Sequence, residues 1–276
     1  MRDPFAHNHL LDRFLNEAPP VDRVIANGDF SCDSAFVGVC DAAAFASAEE
    51  CLHKLRARFR ELLLATIGDH ELGKTSLVGG KGGLRLESWN RAVEGLQLKP
   101  FWRIELEDYL LIGITSSLVA LPVYGQEALV EELPAWERLR AAHLESIRMT
   151  FAEVRAGQRL LLFCHDPTAL PFLWEEAAVR AKSSQIECTV IGHLHTRIIF
   201  WKSRALAGFP RITRCGPAIR RMSSALRRAR HWKPFKPILC PSLSGIELMK
   251  RGGYLSAHLP ADPQRPVQFR LHVMRR

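Results

Sequence analysis

Residues 189–196 read TVIGHLHT, an apolar run that stops at two histidines one residue apart, His193 and His195. Alternate residues of a strand share a face, and residues just past a strand end converge in a loop, so either geometry brings the two imidazoles together. Neutral imidazole is a metal ligand, and a pair of them is the kind of donor set that grips a divalent ion. Three other apolar runs stop in the same way. VDRVIANGD stops at Asp29, LLLATIGDHE at Asp69, His70 and Glu71, and RLLLFCHDP at His165. Each cluster alone has a plain explanation, because a Gly-Asp after a strand is an ordinary turn or helix cap and a lone histidine is an ordinary packed residue. Together, Asp29, Asp69, His165, His193 and His195 would be costly to gather without a cation among them.

The elements that must position these residues alternate. An amphipathic helical stretch from about Phe45 to Glu61 precedes the second run, a long polar one from Gly125 to Arg155 precedes the third, and a shorter one near Phe172 to Lys182 precedes the fourth. Alternating strands and helices predict an α/β layered fold, in which ligands collect beyond the carboxyl ends of the strands, where all four clusters sit. FWRIEL and YLLIGITSSL read as a hairpin around Glu107 and Asp108. Beyond residue 237, GIELMK, GGYLSAHL and VQFRLHVM predict antiparallel strands with a Gly-Gly turn at Gly252 and Gly253. HNHLLDRFLNEA predicts a first helix with Leu10, Leu11, Phe14 and Leu15 on one face. With no repeat and no low-complexity linker, residues 1–276 read as one domain.

No apolar run nears the ~20 residues that cross a bilayer, and MRDPFAHNHL lacks the basic-then-apolar layout of a signal peptide, so the expectation is a cytoplasmic protein. Seven scattered cysteines, without a C-x-x-C pair, predict reduced thiols. The formal charge of +9 is local: Lys202 to Lys236 holds eleven basic residues and no acidic one. That segment reads as a basic, lid-like insertion near the site. Within AIRRMSSALRRARHW, helical spacing puts Ile219, Met222, Leu226, Ala229 and Trp232 on a packed stripe with arginines on the other faces. Arg220, Arg227 and Arg228 are candidate substrate-binding residues. With Trp201, Phe209, Trp232 and Phe235 interleaved, the segment suits a nucleic-acid backbone with stacked bases or an anionic lipid surface.

The ordered set Gly28-Asp29, Gly68-Asp69-His70-Glu71, His165 and Gly192-His193-Leu194-His195 resembles the calcineurin-like metallophosphoesterases over roughly residues 10 to 200. The resemblance implies a four-layer αββα fold, a two-sheet β-sandwich flanked by helices. It also implies two divalent ions (Mn, Fe, Zn or Mg) and hydrolysis of a phosphate monoester, diester or pyrophosphate. By position, Asp29 would bridge the ions, Asp69, His165 and His193 would complete the second, and His195 would serve the first. His70 would act on the leaving-group oxygen or steady the phosphoryl group, with Glu71 orienting it.

Two departures stand out. Position 69 is Asp where that family usually has Asn, which adds a negative charge at the metal. The family's first motif, Asp-x-His, does not occur upstream of Asp29; the expectation is that the strand carrying it lies before Met1, and the alternative, that His7 and His9 substitute as ligands, stands behind the plainer reading of loop histidines near a helix start. The competing functions are a catalytically impaired binding or scaffold protein of the same fold and a nucleic-acid phosphodiesterase.

Overall fold

A computed structural model of the chain describes residues 9–31, 38–74, 83–194, 197–212, 214, 217–243, 251–262 and 264–275. The β-branched and leucine-rich runs that end in polar clusters form parallel strands. β1 (Val24–Ala26) pairs with β2 (Leu63–Ala65) in a two-stranded sheet. A second sheet has the order β3 (Phe101–Leu106), β4 (Tyr109–Ile114), β5 (Arg159–Cys164), β6 (Ile186–Ile191) and β7 (Pro237–Leu239). β3 and β4 are the expected hairpin, with Leu106 opposite Tyr109, and the remaining neighbours are parallel. The hairpin's second run stops sooner than its apolar letters suggest, for Ser116–Val119 turns into a short helix. The architecture is mixed α/β.

All six residues of β4 and all six of β5 are buried, as a sheet covered on both faces requires. Alternation sorts them. Leu110, Ile112, Leu160 and Leu162 face a core that includes Trp136, Leu144, Ile147 and Phe151 of the helix Leu133–Glu153. Leu111, Leu161 and Phe163 face the other way, into a cluster joined by Ile25, Leu64, Leu255 and Phe269. Polar ties reinforce that second contact: Trp102 Nε1 donates to Ala65 O at 3.0 Å, and Asn27 Nδ2 to Val190 O at 3.1 Å.

The expected helices form at His9–Glu17, with Leu10, Leu11 and Phe14 buried, and at Ala42–Phe59, whose Asp41 cap accepts from the Ala43 and Ala44 N–H groups. The shorter stretch near Phe172 becomes two turns, Leu170–Glu175 and Ala177–Ala181. At the C-terminal end, β8 (Arg251–His258) and β9 (Gln268–Arg275) are antiparallel. Gly252 and Gly253 lie inside β8 and make no turn. They are small because other backbone crowds them: a Cβ on Gly252 would sit 2.4 Å from Ser242 O, and one on Gly253 2.2 Å from His272 O. GIELMK falls outside the described residues. Among the described residues no helix is long and apolar enough to cross a membrane, and the described cysteines 40, 51, 164, 188 and 240 are free thiols.

The basic segment forms the helices Arg197–Ala205 and Pro217–Arg228, followed by a 3₁₀ turn, Ala229–Phe235. Its expected packed stripe is only half realised. Ala229 and Trp232 are buried, whereas Ile219 and Met222 are exposed and Ser223 is buried. At that end the inward position is taken by Ser223, whose hydroxyl accepts the Ile212 N–H at 3.0 Å.

His143, buried on Leu133–Glu153, accepts the Thr115 N–H on Nε2 at 3.2 Å, and burial lowers its pKa to about 4. The unfolded chain, with an ordinary histidine near 6.5, takes up this proton first. The stability from keeping His143 neutral is therefore present above pH ~6.5 and lost as pH falls toward 4, amounting to about 3 kcal/mol. Thermal melts of the wild type should fall steeply over that window. His143→Gln, which keeps an acceptor but cannot titrate, should flatten the decline; an unchanged acid limb would show that other groups govern it.

Candidate metal centre

The two Gly-Asp turns meet back to back. Gly28 has φ 83° and Asp29 φ 59°, a left-handed pair that swings the chain sharply at the end of β1. A Cβ on Gly28 would lie 2.6 Å from Gly68 Cα, and one on Gly68 would lie 2.2 Å from Asp29 Oδ1. Glycine at both places is what lets the carboxylates of Asp29 and Asp69 converge. Glu71 locks the join: its buried carboxylate accepts the N–H groups of Asp29 (2.9 Å), Phe30 (2.7 Å) and Gly68 (2.8 Å). Burial and the Asp29 charge push the Glu71 pKa up to about 7, while these three donors favour the charged form. The resemblance gives Glu71 the task of orienting His70; its hydrogen bonds instead hold the Asp29 turn.

His165 and His193 come from the ends of β5 and β6, tied together by the Gly192 and His193 N–H groups donating to His165 O at 2.9 and 3.1 Å. His165 Nε2 lies 2.8 Å from Asp29 Oδ2 and 3.1 Å from Asp69 Oδ1, and His193 Nδ1 lies 3.0 Å from the same Asp69 oxygen. Ligands held about 2.1 Å from an ion sit ~3.0 Å apart along an octahedral edge, so these separations match one coordination shell. One ligand atom from each of Asp29, Asp69, His165 and His193 fits within a mutual 4.8 Å.

The hydrogen-bond pattern argues the same way. His165 Nδ1 faces the Asn27 carbonyl, which can only accept, so Nδ1 carries the hydrogen and Nε2 presents a lone pair. That lone pair points at two carboxylate oxygens. His165 Nε2 and Asp29 Oδ2 are buried and make no directed hydrogen bond. Three acceptors facing one another require a cation between them. A proton is the simplest: burial alone would lower the His165 pKa, but Asp29 and Asp69 raise it well above the ordinary value. Burial would likewise raise the Asp29 pKa, but His165 holds it down to about 2. A divalent ion meets the same demand with more charge, and the residues fit one.

Four further residues, Asn27, Tyr124, Asp166 and Lys74, complete the cluster and carry no motif. Asn27 accepts from the Thr66 hydroxyl at 3.1 Å and donates to Val190, so one side chain stitches the ends of β1, β2 and β6. Asp166 accepts from the Tyr124 hydroxyl and from the Thr168 N–H at 2.8 Å. Lys74, whose side chain is only 9% exposed, places Nζ 3.0 Å from Asp69 Oδ2, 3.2 Å from Asp166 Oδ2 and 2.8 Å from His193 Nε2. Burial opposes ionisation of Asp166, but His193 and Lys74 hold its pKa well below the usual carboxylate range. Only the position of Asp166 beside His165 and of Lys74 just past GDHE hints at these roles.

His70 stands outside the quartet. Its N–H donates to Asp29 Oδ1 at 3.0 Å, its Nε2 is 3.9 Å from Asp29 Oδ2, and its side chain is partly open to solvent. His195 and His7 lie outside the described residues, as does the side chain of His9. Arg220, Arg227 and Arg228 line a cleft of about 640 Å³ with Phe172, Trp174 and Glu175, and none of the four cluster residues is among its walls. Of the four interleaved aromatics, Trp201 and Phe209 are exposed, whereas Trp232 stacks on Phe200 and Phe235 packs on Trp174, both buried.

Compared with known proteins, the chain matches no family model and no curated protein.

Replacing Gly68 by Ala should push Asp29 away from Asp69 and cut bound Mn²⁺ at least tenfold, since ligand spacing sets affinity. Far-ultraviolet circular dichroism should stay close to wild type. Undiminished metal content would mean that the abutting turns do not set the ligand geometry.

Proposed function

We propose that the chain is a metal-dependent phosphoesterase, acting on a phosphate monoester, diester or pyrophosphate. The observation that carries this is the His165 tautomer, which aims a lone pair at two carboxylates from separate strand ends and so builds a site for a cation beside the partly open His70. Asp29, Asp69, His165 and His193 would hold the ion, with Mn, Fe, Zn and Mg all compatible with a nitrogen and oxygen donor set. Once bound, a divalent ion there supplies charge neutralisation for phosphoryl oxygens and acidifies water. His70, whose N–H bond to Asp29 fixes its backbone, would donate a hydrogen bond or proton to a substrate oxygen. Glu71 keeps the Asp29 turn in register.

The αββα sandwich belongs to the same reading. It is supported by the packing of β1, β2, β8 and β9 residues on one face of the five-stranded sheet while helices cover the other. The two-ion centre of the resemblance would draw on Asp29 as bridge and on His195.

With Mn²⁺, the purified chain should hydrolyse aryl phosphate mono- or diesters, and His70→Ala should lower kcat by about 10² or more while metal content stays near wild type. A metal-loaded chain with no turnover on either ester would favour the impaired binding or scaffold protein of this fold.

The exposed residues of the basic segment favour a membrane surface over nucleic acid as its partner. Base stacking needs aromatic faces, and two of the four aromatics are buried. What the segment and the turn of helix before it expose is mostly aliphatic, Ile198, Ile199, Leu206, Ile219 and Met222 beside Trp201 and Phe209, among basic side chains of which Arg228 pairs with Glu175. Such a surface suits shallow insertion among anionic headgroups. Co-sedimentation should rise with the phosphatidylglycerol content of vesicles and fall in Trp201→Ser. Retention on single-stranded DNA without vesicle binding would make the partner a nucleic acid.

A further inference from the structure

Lys74 reaches the centre by a local device. The short helix Asp69–Leu72 ends at Gly73 with φ 91°, and the chain doubles back so that the Lys74 N–H donates to Asp69 O at 3.1 Å. The side chain then points inward, with its ammonium against Asp69, Asp166 and His193 and 5.2 Å from the centre of the Tyr124 ring. Asp69 is thus divided: Oδ1 faces the two imidazoles, and Oδ2 faces a fixed positive charge.

We propose that Lys74 is a resident cation of this centre, neutralising the outer oxygen of Asp69 and Asp166 and so supplying positive charge that a second divalent ion would otherwise bring. The chain then holds one metal ion where the metallophosphoesterase resemblance implies two. The charges agree. Asp29, Asp69 and Asp166 carry three negative charges, and one divalent ion with one ammonium supplies three positive; the Glu71 carboxylate is met by its three backbone N–H groups. A second divalent ion beside Lys74 would leave this buried cluster with excess positive charge. The same ammonium accounts for Asp at position 69, since the extra negative charge has a permanent partner.

The proposal rests on the metal-centre reading, and its test reads metal content and not turnover. In equilibrium dialysis against Mn²⁺ followed by atomic emission, the wild type should retain one ion per chain. Lys74→Met, close in length and without charge, should retain two at the same free Mn²⁺ concentration. A wild type that holds two ions overturns the proposal without any variant, and so does a folded Lys74→Met chain that stays at one. Lys74→Gln gives the same comparison if the Met variant does not fold. A metal-loaded wild type that fails to hydrolyse phosphoesters overturns the phosphoesterase function and leaves the ion count standing.

Discussion

The lone pair of His165 Nε2, fixed by the hydrogen that Nδ1 gives to the Asn27 carbonyl, is the constraint on which the rest of the centre depends. It faces Asp29 Oδ2 and Asp69 Oδ1 at 2.8 and 3.1 Å, inside a region from which water is largely excluded. Electron-rich atoms in such a place are stable only around positive charge, because desolvation alone costs several kcal/mol per ion. The proton taken up by His165 and the ammonium of Lys74 are the positive charges that the chain itself supplies. A metal ion can take the place of the first.

The scaffold makes that confrontation unavoidable. β1 and β2 run parallel and end together, and β5 and β6 do the same in the neighbouring sheet, so the four carboxyl ends open toward one point. Paired glycines remove the side chains that would hold the two aspartates apart, and Glu71 binds both turns through their backbone. Asn27 and Trp102 then pin one sheet to the other with hydrogen bonds to Val190 and Ala65. Burial of Leu111, Leu161 and Phe163 against Ile25 and Leu64 stabilises the same contact from within.

Much of this was legible in the sequence because strand ends are legible. An apolar run followed by Gly-Asp or a histidine marks both a strand and its carboxyl end, and that placed Asp29, Asp69, His165 and His193 before any tertiary contact was known. Lys74, Asp166, Asn27 and Tyr124 were not legible, since each acquires its role only from groups distant in the chain, as when Tyr124 reaches Asp166. Gly252 and Gly253 looked like a turn because a glycine pair usually marks one, whereas here the need is for close backbone approach within β8. Trp232 and Phe235 looked available for stacking until Phe200 and Trp174 covered them. Periodicity finds a helix, and burial depends on what the helix meets.

The most direct test of the centre is an anomalous difference map from crystals soaked in Mn²⁺. The account predicts a peak bonded to His165 Nε2, with Asp29 and Asp69 oxygens in the same shell. Density for manganese elsewhere, with His165 Nε2 still pressed against the two carboxylates, would contradict it: a proton on His165, and not a metal ion, would then be the cation that stands between His165 and Asp29.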